Sequence, residues 1–585
     1  MNQVARALRR TAIVVSVATL PGLLVSCGTP PQYDLIVRGG TVYDGSGGRP
    51  FVADVGILGD TVVAVGTELG GGARRELDAR GLAVAPGFIN MLSWATEPLL
   101  QDGRSQSDIR QGVTLEVFGE GWSMGPFNAA MKKERVERQG DIKYGITWTT
   151  LSEYLEHLEE RGVSPNVASF VGATTVRVHE LGHESRAPTP EELERMRGLV
   201  RQAMEDGALG VGSSLIYEPA FHAGTNELVE LARVAASYGG MYISHIRDEG
   251  TGLLEAVDEL ITISRQSGAR AEIYHLKASG RENWDTLDRL VEKVEAAHAE
   301  GLHITANMYT YPASSTGLDA TMPPWVQEGG HRAWVERLKN PAVRKRLVQE
   351  MRGGGGGDWD NSFANAGGPQ GILLVSFKSD RLKSLTGKTL AQVAAERGKS
   401  AEETAMDLVI EDDSRVGCVF FTMSEDNVRK KVRLAWVSFG SDGGSLATEE
   451  PFLGSNPHPR AYGNFARLLG KYVREEKVIS LEEAVRRLTS FPAENLRLSH
   501  RGRLAPGYFA DVVVFDPGSI TDHATFDRPH QYATGVVHVL VNGVPVLQDG
   551  EHTGATPGRV VRGPGWRGGV DRPLHAPETG QEQSR

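Results

Sequence analysis

Met241–Gly250 reads MYISHIRDEG, and this stretch decides the fold. Met241–Ser244 is short and mostly apolar, the pattern of a buried strand. His245, Arg247, Asp248 and Glu249 follow at its C-terminal end. About one βα unit later the arrangement recurs. Ala269–Gly280, ARAEIYHLKASG, is a strand ending in His275 with Lys277 behind it. Parallel α/β barrels carry their catalytic groups at the C-terminal ends of the strands. Two histidines ending successive strands therefore face one mouth. A lone histidine in such a place is more often a satisfied core or cap residue; the matched pair favours the shared mouth.

Working outward, the same texture continues on both sides. Gly87-Phe88-Ile89, Val113–Phe118, Asn166–Gly172, Ala208–Ser213, Ala271–Tyr274, His303–Met308 and Trp436–Phe439 read as further strands. Helix-period stretches such as Pro190–Glu205, Glu227–Tyr238, Trp284–Ala299 and Leu481–Leu488 lie between them. Alternation of this kind argues for βα units closed into a parallel barrel, here over residues 86–500. Residues 324–404 interrupt it and read as an insertion over the barrel mouth.

Both ends of the chain have a different style. Asp34–Gly39, Thr41–Tyr43, Asp54–Leu58 and Thr61–Val65 are short strands separated by Asp44-Gly45 and Gly59-Asp60 turns. After Arg503 the style returns in Ala510–Phe515 and Val536–Asn542, and Asn542-Gly543 is a hairpin signal. A small β-domain built from residues 34–85 and 501–562 is the expectation. Residues 563–585 read as an extended tail.

Residues 1–26 stand apart from the fold. Arg6, Arg9 and Arg10 precede the apolar run Thr11–Leu24, which is too short to span a bilayer readily. Leu24-Val25-Ser26-Cys27 follows. The layout is that of an export signal, and its last four residues resemble a bacterial lipoprotein cleavage box. That resemblance implies removal of Met1–Ser26, lipidation of Cys27, a tether over residues 27–33, and a lipid-anchored protein of the bacterial cell envelope. Removing three arginines takes the formal charge from −11 to −14, a poor balance for binding nucleic acid. Cys27 and Cys418 are the two cysteines, so with Cys27 acylated no disulfide framework is available. The 585 residues include 70 glycines, which suit many tight strand-to-helix turns.

Several blocks resemble the amidohydrolase superfamily, and within it the N-acyl-D-amino-acid deacylases. DLIVRGGTVYDGSG, AVAPGFI, GALGVGSSLIYEP, YISHIRDEG, IYHLKASG, GSDGG, HPRAYGNF, LTSFPAENL and RGRLAPGYFADVVVFDP occur in the family's order over roughly residues 34–562. The resemblance implies a distorted (β/α)8 TIM barrel with a flanking β-sandwich, and hydrolysis of an amide at a zinc site. Two departures stand out. Where the family carries a His-x-His pair at the end of the first barrel strand, this chain has Leu92 and Trp94, which cannot ligate a metal. The more accessible metal position is therefore expected to be absent or weakened. Where family members often carry a cysteine ligand, counting back from Pro126 in GVTLEVFGEGWSMGP reaches Glu120, with Glu116 as the other acidic candidate.

Glu120, His245 and His275 thus supply a carboxylate and two imidazoles, a catalytic zinc set with one position open. One zinc per chain would polarise the scissile carbonyl and bring the pKa of water towards ~7. The departing amine needs a proton, and Asp442 in Phe439-Gly440-Ser441-Asp442-Gly443-Gly444 is placed to carry it; the resemblance assigns the matching aspartate the same role. An N-acyl amino acid also carries a carboxylate, so cations and hydroxyls should face the metal. Lys277 lies two residues from His275, on the same face of a strand. The resemblance adds Tyr217, Tyr309 and Ser315 as holders of that carboxylate. Arg247 is a further cation unless it pairs with Asp248 or Glu249, and His458 and Arg460 stand as closers of the mouth or as a structural loop. The expected activity is deacylation of small N-acyl-D-amino acids. Another amidase acting on a cyclic amide or dipeptide, or a lipid-anchored binding protein that has lost catalysis, remain as alternatives.

Overall fold

A computed structural model of the chain describes residues 32–353, 359–569 and 571–576. The export segment and Cys27 lie outside the described residues. Among those described, no helix is long and apolar enough to cross a membrane.

Eight parallel strands form the barrel. They are β1 (Phe88–Asn90), β2 (Val113–Phe118), β3 (Asn166–Ser169 with Val171–Gly172), β4 (Gly210–Ser214), β5 (Met241–His245), β6 (Ala271–Ile273), β7 (Ile304–Met308) and β8 (Val437–Phe439). Each pairs with the next in parallel register, for example Ser214 with His245 and Ile273 with Ala306. Closure between β8 and β1 is irregular. The Met91 amide donates to the Phe439 carbonyl at 3.2 Å, and Ser93 bridges Gly443. Every residue of β2, β4, β5 and β7 is buried, which is why these strands read as nearly continuous runs rather than alternations. Amphipathic helices such as Thr225–Ser237, Leu253–Ser267 and Thr286–Ala299 bury one apolar stripe each against the outside.

The flanking sheet contains ten strands and draws on both chain ends. Ala83–Pro86 lies between Tyr33–Val42 and Val512–Phe515. Tyr33–Val42 shifts register between Val37 and Gly40, so its first half pairs with Ala73–Asp78 and its second with Ala83–Pro86. Glycine is required there: a Cβ on Gly40 would lie 2.3 Å from the Val84 side chain. The change of partner lets one sheet fold over a core that includes Val37, Val55, Ile57, Val84, Val514 and Leu540.

Two boundaries differ from the sequence reading. The excursion from the barrel is larger than residues 324–404. Ser314–Gly317 pairs with Gly417–Phe420, and that strand pairs with Ile372–Ser376, giving a three-stranded antiparallel sheet with its own apolar core. Residues 555–562, expected in the β-domain, instead run across the barrel. Val560 bridges Val167, and the Val561 amide donates to the Val167 carbonyl at 2.8 Å. Burial of Val561, with the Val560 side chain close behind, holds this segment down.

Candidate metal centre and its surroundings

Glu120 lies two residues past β2, in a loop that runs tight against β3 and β4. A Cβ on Gly212 would come within 2.1 Å of the Gly119 carbonyl oxygen, and one on Gly172 within 2.3 Å of that of Gly121. These glycines let the loop descend into the mouth. The amide of Thr174, in the first turn of the following helix, donates to the Gly121 carbonyl at 3.0 Å and fixes it. His245 is the last residue of β5, and His275 lies two residues past β6.

These three side chains converge. One oxygen of Glu120, Oε1, lies 2.9 Å from His245 Nδ1 and 2.9 Å from His275 Nε2. Candidate ligand atoms from all three residues lie within 4.8 Å of one another, and all three residues are buried. The imidazoles meet edge to face with centroids 4.5 Å apart. His245 Nε2 is buried without a hydrogen-bond partner. Two imidazole nitrogens and a carboxylate oxygen, set at or just past the ends of three strands and little exposed, fit a zinc ion.

The electrostatics favour a charged carboxylate and, with no ion bound, a protonated His275, whose proton a bound metal would displace. Burial alone would raise the Glu120 pKa, but the charge of His275 and the hydrogen bonds from both histidines hold it well below the usual range. Burial and the Lys277 ammonium both oppose a proton on His275; the carboxylates of Glu120 and Glu249 outweigh them and push its pKa up to about 9.

Glu249 is a residue the sequence reading left as a mere partner for Arg247. Its Oε1 lies 3.1 Å from His275 Nδ1 and accepts from Lys277 Nζ at 2.6 Å. A carboxylate behind a ligand histidine orients the ring and sets its tautomer. Burial opposes its charge, yet Lys277 and both histidines hold the Glu249 pKa low. Lys277 Nζ also sits 2.7 Å from His275 Nδ1. Lys277 therefore faces the cavity, but it is already engaged beside the histidine. The strand spacing expected for His275 and Lys277 does not hold, because β6 ends at Ile273 and His275 has φ +35°. Such backbone costs a non-glycine residue roughly 1–3 kcal/mol. It persists because the His275 amide donates to Asn307 Oδ1 at 2.8 Å.

Asp442, with φ +48°, lies past β8. Its amide donates to the Leu92 carbonyl at 2.9 Å. Trp94 Nε1–H donates to its Oδ1 at 3.0 Å, and Arg460 Nη1 lies 2.9 Å from its Oδ2. Burial raises the Asp442 pKa, opposed by Arg460 and His275.

The other expected residues divide. Tyr217 stands edge-on to His245 at 5.4 Å, and its hydroxyl donates to Thr316. Ser315 lines the cavity, with its hydroxyl on the Cys418 carbonyl. Tyr309 is buried under Arg460, 4.5 Å from ring centre to guanidinium carbon, and its hydroxyl has no partner. His458 uses both nitrogens, one towards the Ala313 carbonyl and one accepting the Arg460 amide. Burial, then Arg460, pushes its pKa well down, so the ring is neutral. Arg247 is a correction. Its guanidinium makes two bonds to Glu259 and one each to the Phe221 and Ala223 carbonyls. It is absent from the residues lining the cavity. The helix Leu253–Ser267 folds back and presents Glu259, so the acid that neutralises Arg247 is neither Asp248 nor Glu249.

The cavity holds about 770 Å³ and is lined by Glu120, His245, His275 and Asp442 together with Arg415 and Trp334 of the excursion. A parallel barrel with ionisable side chains gathered at the C-terminal ends of its strands is the architecture of a metal-dependent hydrolase. Comparison with known proteins narrows this. The chain belongs to the amidohydrolase family, whose model matches residues 75–547. It is 33% identical to the D-aminoacylase of Alcaligenes xylosoxydans xylosoxydans, over 90% of this chain and 97% of that one. To the N-acyl-D-glutamate deacylase of the same organism it is 32% identical, over 91% and 97%. Among solved structures, a D-aminoacylase with a binuclear metal centre, described by one-metal activation and second-metal attenuation, superposes with a TM-score of 0.75 at 31% identity, covering 91% of this chain and all of that one. The N-acyl-D-glutamate deacylase of Bordetella bronchiseptica, complexed with zinc and a phosphonate inhibitor, gives 0.74 at 30% identity, over 91% and 99%. The protein is accordingly a hydrolase of amide carbon–nitrogen bonds.

Proposed function

We propose that the protein is a zinc-dependent deacylase of N-acyl-D-amino acids with one zinc ion per chain. The observation that carries this reading is the convergence of His245 and His275 on a single oxygen of Glu120. Glu120, His245 and His275 would hold the ion. When bound, zinc supplies a positive charge that polarises the amide carbonyl and makes water acidic enough to attack near neutral pH.

The remaining work falls to the chain itself. Asp442 takes the proton of the attacking water and passes it to the amide nitrogen, so that the amino acid leaves as a neutral amine. Its raised pKa suits a group that must both accept and give up a proton. Arg460 is the candidate for the substrate carboxylate: its Nε is buried without a partner, and it reaches the cavity beside Ser315. A substrate carboxylate there would compete with Asp442 for the guanidinium and leave the aspartate more basic as the substrate arrives. Glu249 and Lys277 orient His275. Lipidation at Cys27 and an envelope location remain part of the proposal on sequence grounds. Labelling with a fatty acid should mark the protein and should be lost in Cys27→Ser.

The test is to load the purified protein with zinc, count the metal, and assay matched D- and L-N-acetyl amino acids. Turnover of D-forms with about one zinc per chain is expected. A folded protein that takes up no zinc would support the binding-protein alternative instead.

A further inference from the structure

Trp94 is a large aromatic residue that is 40% exposed, and the surface it exposes lines the catalytic cavity. Aromatic rings commonly line ligand cavities, and what sets this one apart is where its polar atom points. This one directs its only polar atom at Asp442, donating Nε1–H to Oδ1 at 3.0 Å. The aim is built into the closure of the barrel. Ser93 bridges Gly443, the Trp94 amide donates to the Gly443 carbonyl at 2.9 Å, and the Asp442 amide donates to the Leu92 carbonyl at 2.9 Å. This pairing register sets the indole beside the carboxylate. Leu92, two residues earlier, is sealed in an apolar cluster with Ile89, Met91 and Phe170. A Cβ on Gly440 would lie 2.7 Å from the Leu92 amide nitrogen, so the two chain segments meet without room for a ligand between them.

We propose that Trp94 is a positioning residue for Asp442 and that it limits the site to one metal ion. An indole N–H is a donor only and has no lone pair to offer a cation. It gives Asp442 Oδ1 a neutral, fixed partner where a second cation would otherwise find an oxygen ligand. Asp442 has a second partner in Arg460, whose Nη1 lies 2.9 Å from Oδ2. Arg460 is the group a substrate carboxylate would draw away. Trp94 carries no charge for the substrate to compete for, so it keeps the aspartate aimed once Arg460 turns. On this view Trp94 gives Asp442 a hydrogen bond at a position where the family resemblance expects a metal-ligating histidine. The proposal rests on the reading of Asp442 as the proton carrier.

Three variants test it: Trp94→Phe, Trp94→Gln and Trp94→His. Zinc per chain is measured by elemental analysis in excess zinc, and kcat and KM are measured separately. Trp94→Phe removes the N–H and keeps a ring. It should retain one zinc, leave KM within about twofold, and lower kcat roughly 10–100-fold, the value of a hydrogen bond to a charged group. Trp94→Gln restores a donor and should recover part of that loss. Trp94→His offers the cavity a lone pair in place of the N–H donor and should take up zinc beyond one per chain, and a count that stays at one would show that Trp94 does not close the second position. An unchanged kcat in Trp94→Phe would overturn the proposal. So would a Trp94→Gln variant as impaired as Trp94→Phe, because lost packing would then explain both, or a natural chain that binds two zinc ions. If the natural protein turned over no N-acyl amino acid, the deacylase reading would fail, while the zinc counts would still decide whether Trp94 closes the second position.

Discussion

Glu116 and Glu120 are the same residue type, four positions apart, and both are buried. They have opposite chemistry. Glu116 faces Asn90, whose amide donates to Oε2 at 3.0 Å, and Ser105, whose hydroxyl donates to Oε1 at 3.1 Å. Ser93 also hydrogen-bonds to it, and beside it lies another acid, Asp108. Burial raises both pKa values, and for Asp108 the charge of Glu116 adds to it. The pair therefore holds a proton. Glu120 has the same burial, but its partners are two imidazoles, and it stays ionised. Seclusion from water does not make a carboxylate a metal ligand; the groups it is secluded with decide that. The Glu116 cluster serves the site at one remove. Asn90 also donates to the Ser441 hydroxyl and accepts the Ser441 amide, both at 2.8 Å, which fixes the turn that carries Asp442.

Removing each acid in turn separates the two roles. Glu120→Ala should lose zinc and lower turnover by on the order of 10³-fold or more, whereas Glu116→Gln should keep both. Elemental analysis beside an amide-hydrolysis assay checks the pair. Asp442→Asn comes next: zinc is retained and kcat falls roughly 10²–10⁴-fold, the usual span for a lost proton carrier. An active Asp442→Asn enzyme would remove that residue from the mechanism. Glu249→Gln is a smaller change, weakening zinc affinity by about 10–100-fold through His275, and competition with a chelator measures it.

The smallest effect concerns stability. In the folded chain the Asp108–Glu116 pair holds its proton at a pH where unfolded carboxyls, with pKa values of about 4, have released theirs. The pair's contribution is therefore complete below that range and is lost as pH rises through the raised folded values. Glu116→Gln removes the charge beside Asp108 and one of the two titrating groups, leaving Asp108 raised by burial alone, so this loss should shrink. Relative to the natural chain it should gain stability as pH rises above the range in which unfolded carboxyls titrate. Urea unfolding at several pH values reads the slope, and parallel slopes in the two proteins would count against a shared proton.

The sequence made the barrel legible because its strands are buried on both faces and end in ionisable residues, as at His245 and near His275 and Asp442. What stayed hidden depends on contacts between distant segments. Glu249 gains its meaning from His275 and Lys277 on the next unit. The Trp94–Asp442 bond exists only because the first and last strands meet in one register. Arg247 was misread because its partner lies twelve residues on, across a helix start. Ser314–Gly317 looks like loop in the sequence, since its strand partner is about a hundred residues away.

The ten-stranded sheet has a consequence for how the molecule is made. Ala83–Pro86 pairs on one side with Val512–Phe515, so that edge stays open while the ribosome synthesises residues 87–511. At about 5–20 residues per second the wait lasts roughly 20–90 s. An unpaired apolar edge is a template for self-association. A nascent chain cut short before Val512 would thus carry a sticky flank however well its barrel had formed.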